Sequence, residues 1–69
     1  MRIRVFVKFD TNYKQEVLDS LANAGFVLEY QSGTDKSIII GTIERDKLQD
    51  LMDNPFVINV WGNNTYRSF

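Results

Sequence analysis

Three aspartates, Asp46, Asp50 and Asp53, recur at helical spacing and invite comparison with a cation site. Hard cations take about six oxygen ligands, usually gathered by a loop. A solvated helix face is therefore the expected reading, and no metal site is assigned. Histidine and cysteine are both absent. Their absence removes the common general base, the thiolate nucleophile and the usual transition-metal ligands. A nucleophile–base pair would have to join Ser or Thr to Lys, and no motif fixes such a pair. Gly41 and Gly62 stand alone, so no glycine-rich phosphate loop is present. The residue types predict a protein that is not an enzyme and carries no cofactor.

The totals narrow the class further. A chain of 69 residues makes one small domain, which buries only about 60% of the surface its unfolded form exposes. Without cysteine, no disulfide can make up the shortfall. A formal charge of −1 argues against a nucleic-acid partner, whose binders carry a basic face. No apolar run approaches the roughly 20 residues that span a bilayer, so no membrane partner is expected. Met1 leads into a strand pattern rather than a signal segment.

The elements that position any site follow from periodicity. Ile3, Val5, Val7 and Phe9 alternate with Arg4, Phe6 and Lys8, as in a half-buried strand. Asn12 with Gln15 forms a candidate capping box, and Tyr13, Val17, Leu21 and Ala24 follow at helical spacing, supported by Leu18. Gly25 suits the left-handed position that ends many helices. A second strand is expected from Phe26 to Gln31, with Phe26, Leu28 and Tyr30 on one face. After a turn at Ser32-Gly33-Thr34-Asp35, the run Ser37 to Ile43 holds three consecutive isoleucines. Being β-branched and apolar on both faces, it reads as a central strand. Glu44 to Asp53 reads as a second helix burying Leu48, Leu51 and Met52, stopped by Pro55. Val57 to Trp61 is the last strand.

This order predicts an α+β domain of the ferredoxin-like βαββαβ type. It should hold a four-stranded antiparallel sheet, order 4-1-3-2, with two helices on one face. The domain is expected to span residues 1–61, with 62–69 an extended C-terminal tail. The second sheet face is then bare, and it receives Phe6, flanked by Arg4 and Lys8, with one side of the Ile38-Ile39-Ile40 run. A bare apolar sheet is expected to be a docking surface, the alternative being a merely amphipathic surface with scattered hydrophobes. RNA-recognition domains share the topology, but their third strand carries stacking aromatics. Here that strand has none. A small acylphosphatase would need an arginine-bearing phosphate loop after the first strand, and Asp10-Thr11-Asn12 does not supply one. The tail places Tyr66 and Phe69 three residues apart in a polar segment. An extended segment of that kind can fill two pockets while its backbone adds a strand to a partner's edge. A frayed terminus is the plain alternative.

The spacing Leu48-x-x-Leu51-x-x-x-Pro55-x-Val57-x-x-Val60 resembles the helix-to-strand signature of subtilisin propeptides and of the free-standing inhibitors that share their fold. The first strand, ending Val7-Lys8-Phe9, and the Ala24-Gly25 helix stop are similar to the family as well. The resemblance implies an inhibitor, and folding chaperone, of a subtilisin-like serine protease, natural or engineered, extracellular where it acts as a natural propeptide. It implies docking by the open sheet face, through Phe6, Ile39, Trp61 and Asn63. It also implies a product-like tail in the substrate cleft, formed by Tyr66, Arg67, Ser68 and Phe69. Phe69 would fill the primary specificity pocket and Tyr66 the pocket three subsites upstream. Arg67 would point outward, and Ser68 would lie near the catalytic residues. Family members often place acidic residues after the last strand, where this chain has Trp61-Gly62-Asn63. A ferredoxin-like interaction or regulatory module with no protease target is the alternative expectation.

Overall fold

A computed structural model describes residues 1–62 and 65–67. The alternating segment forms β1 (Arg2–Phe9), and Val5, Val7 and Phe9 are all buried. The chain then enters a 3-10 turn at Thr11–Tyr13 and α1 (Lys14–Asn23). The expected capping box does not form. Asp10 takes the capping role: its Oδ1 accepts the Asn12 N–H at 3.0 Å, while Gln15 Nε2 donates to Asp19 at 2.9 Å. An Asp reaches an N–H two residues on more readily than a longer side chain does, which favours this local turn.

Helix α1 ends as its glycine predicts. Gly25 has φ +91°, the Gly25 N–H donates to Ala22 O at 3.0 Å, and the Phe26 N–H donates to Leu21 O at 2.9 Å. These two bonds are the paired closure of a glycine-terminated helix. Arg2 secures the same corner from the sheet, its Nη2 donating to Gly25 O at 3.2 Å and to Thr42 O at 2.9 Å.

β2 (Val27–Gln31) and β3 (Ile38–Glu44) follow. The expected second helix is shorter than its pattern. Glu44 ends β3, residues Arg45–Lys47 make a 3-10 turn, and α2 covers only Leu48–Met52. Pairing at the chain start explains this: Glu44 lies opposite Arg2, and the Arg45 N–H donates to Met1 O at 2.9 Å. Those bonds hold the residues in the ladder that a longer helix would need. Beyond α2, Asn54 Oδ1 accepts the Phe56 N–H at 2.9 Å, and Asn54 O accepts the Val57 N–H at 3.1 Å. The chain thereby turns into β4 (Val57–Trp61). The Tyr13 and Phe56 rings stack at 4.5 Å, joining the start of α1 to the entry of β4.

Four antiparallel strands, β2-β3-β1-β4, form the body of the sheet. Each neighbour relation in the expected order is therefore hydrogen-bonded, because a strand order is the same read from either edge. What the expectation lacks is β5 (Thr65–Arg67), which pairs antiparallel with the outer side of β4. Within the expected tail, 62–69, residues 65–67 thus run alongside β4.

Both helices cover one sheet face. Val17 and Leu21 of α1 and Leu48 and Leu51 of α2 share a single buried cluster with Val5, Val7, Phe9, Ile39, Ile43, Val57 and Val60. Gly41 lies in the same phase as Ile39 and Ile43, and its missing side chain makes room for Phe26. A Cβ there would come within 2.5 Å of Phe26 Cζ and would also strike the Val27 carbonyl.

Within the four-stranded body, two irregularities shift the phase of β2 and β4. Leu28 lies opposite Gly41 but Tyr30 opposite Ile40, so Glu29 is an extra residue in β2. Phe9 lies opposite Val57 but Lys8 opposite Asn59, so Ile58 is an extra residue in β4. Each is a β-bulge, two residues facing one. The first bulge overturns the expectation that Phe26, Leu28 and Tyr30 share a face.

Candidate protein-binding face

On the side away from the helices, one row of residues crosses the sheet. Tyr30 of β2 pairs with Ile40 of β3, Ile40 with Phe6 of β1, and Phe6 with Trp61 of β4. Direct cross-strand partners share a face, so the four side chains form a continuous apolar stripe. The Phe6 and Trp61 rings stack, with centroids 5.5 Å apart and planes 17° apart. Ile40 lies beneath its neighbours at 2% exposure, while Tyr30 stands out at 55%.

Polar rows border the stripe on both sides. On one side, Arg4 Nε donates to Glu29 Oε1 at 2.9 Å and Nη2 to Glu29 Oε2 at 3.3 Å. On the other, Lys8 Nζ meets Asp35 Oδ2 at 3.4 Å. Asp35 also accepts the Ser37 hydroxyl at 2.5 Å and the Ser37 N–H at 2.9 Å. These Ser37 bonds, with the nearby Lys8 charge, hold the Asp35 carboxyl below its ordinary value of 3.8. Asn59 lies opposite Lys8, and its Oδ1 is buried with no hydrogen-bond partner among the described residues. An apolar centre with a polar border is the anatomy of a protein interface.

Among the expected docking residues, Phe6 lies on this face as its alternation predicts, and Trp61 is stacked beside it. Ile39 does not. It pairs with Val7, sits in the helix-side core and is 1% exposed. Its place on the open face is taken by Ile40. An isoleucine run apolar on both sides has no alternation from which to read its phase, so only pairing with β1 decides it. Asn63, Ser68 and Phe69 lie outside the described residues. Tyr66 and Arg67 fall in β5, on the β4 edge next to Trp61.

Sequence reasoning missed Tyr30, hidden by the bulge at Glu29, and Ile40. Gly41 carried the available signal, since a glycine between Ile40 and Thr42 marks the face approached by a bulky neighbour. Among the described residues there is no enclosed pocket, no cluster of metal-ligating side chains and no helix long and apolar enough to cross a membrane. Comparison with protein-family models, with curated proteins and with solved structures finds no match.

Proposed function

We propose that this chain is a ferredoxin-like domain that inhibits a subtilisin-like serine protease, and assists its folding, by docking through the open sheet face. The observation that carries the reading is the apolar stripe Tyr30–Ile40–Phe6–Trp61, bordered by paired charges. Its last member lies on β4, the strand from which the C-terminal segment departs. Docking by the stripe would bring that segment to the same partner, where Tyr66, Arg67, Ser68 and Phe69 act as a product-like ligand of the substrate cleft. The Leu48–Val60 spacing supports the choice of partner. Inhibition on this reading needs no catalytic group of the chain's own.

The test is hydrolysis of a chromogenic peptide by subtilisin with increasing amounts of the full chain or of a chain lacking residues 66–69. Strong inhibition that truncation much reduces is the expected result. Equal inhibition by both would shift binding to the sheet face alone. No inhibition by a folded full chain would reject this protease as the target.

A second reading is an interaction module that pairs through its sheet with no protease target. The return of Thr65–Arg67 to the β4 edge favours it, because those residues are already used inside the domain.

A further inference from the structure

Tyr66 and Arg67 are assigned to a protease cleft under the proposed function, yet both belong to β5. The pairing Val60↔Arg67 and Trp61↔Thr65 commits the backbone of this segment to β4. β4 lies along one edge of this segment, so a cleft that walls an extended peptide on both sides could not close around it. The two arrangements exclude each other.

Resting on that reading, we infer that β5 is an autoinhibitory strap: residues 65–67 close on the β4 edge in the free protein and must peel away before they enter a cleft. Several features suit it to a reversible role. The strand has only three residues, against eight in β1, and its register shifts between Val60 and Trp61. It lies at the sheet edge and pairs with no strand but β4 among the described residues. The residues that hold the core, Val57 and Val60 of β4 among them, stay packed under the helices when it leaves. Binding strength is then reduced by the closed fraction, since only the open form can enter the cleft.

The test uses Thr65→Pro in the full chain. Proline removes the N–H from the short ladder, and Thr65 is not one of the four residues assigned to the cleft. Amide exchange of the free proteins is measured first. Protection at residues 65–67 in the native chain, lost in T65P while β1 and β3 stay protected, is expected. Absence of that protection in the native chain would overturn the strap whatever the protease does. Inhibition is measured next, with T65P expected to bind roughly three- to tenfold more tightly by relief of the closed fraction. Equal or weaker inhibition by a folded T65P would overturn the strap while leaving the protease reading in place. Protection without inhibition by either chain would reject the protease reading, and with it the release of the strap into a cleft, while retaining the closed hairpin as structure.

Discussion

Phe6 and Trp61, 55 residues apart in the chain, meet as stacked rings on the face opposite both helices, with centroids 5.5 Å apart. The contact joins the central strand β1 to the strand that leads into the C-terminal segment. An aromatic pair of this kind contributes about 0.5–1.5 kcal/mol beyond the area it buries.

Phe6→Ala should therefore lower stability by about 1–2 kcal/mol and weaken partner binding more than its effect on folding explains. Trp61 is the sole tryptophan, so its emission reports the change directly. A shift to longer wavelength in the folded variant is expected. Unchanged emission would mean that the rings are not stacked in solution.

Gly41→Ala tests the close approach of β2 to β3. The new methyl would meet the Phe26 ring and the Val27 carbonyl, and the carbonyl cannot swing aside without breaking the ladder. Overpacking costs typically about 1–3 kcal/mol, and the upper part of that range is expected in urea unfolding. A neutral substitution would contradict the described packing.

Gly25→Ala separates strain from crowding. Nothing lies within 4 Å of the position a Cβ would take, yet φ is +91°. The expected loss is about 1–2 kcal/mol, conformational in origin. Thermal unfolding should show the decrease with little change in the overall fold.

Asp35 predicts a pH dependence with a definite sign. Its carboxyl is held below 3.8, first by the Ser37 hydroxyl, then by the Ser37 N–H, with Lys8 contributing. A depressed value in the folded state means that the charged form stabilises the fold above the unfolded value. That contribution is lost as pH falls through the folded value. Asp35→Asn should accordingly be less stable than the native chain near neutrality, the difference shrinking as pH falls below 3.8. Melting temperatures from pH about 2 to 7 decide it, and a constant difference throughout would remove Asp35 as the cause.

Much of this architecture can be read from residue patterns, and the failures have definite causes. The alternation of β1, the glycine stop at Gly25 and the placing of Phe6 on the bare face all rest on local rules that packing reinforces. Ile39 and Ile40 were not distinguishable, because neither neighbour differs in polarity and the choice depends on contacts with another strand. Tyr30 changed face through the bulge at Glu29, an insertion that leaves no composition signal. Asn12 lost the capping role to Asp10, since both are good caps two residues apart. Pairing of β5 depends on the β4 edge being free, a property of the assembled sheet rather than of the tail.

The additional residue at Ile58 inverts the parity of everything beyond it. Strict alternation from Val57 would send Trp61 toward the helices and Val60 toward solvent. The two valines three positions apart, so unlike a regular strand, are the imprint of that inversion in the chain. Phe6 has an aromatic partner because β4 counts one residue too many, and the apolar stripe owes its width to an irregularity.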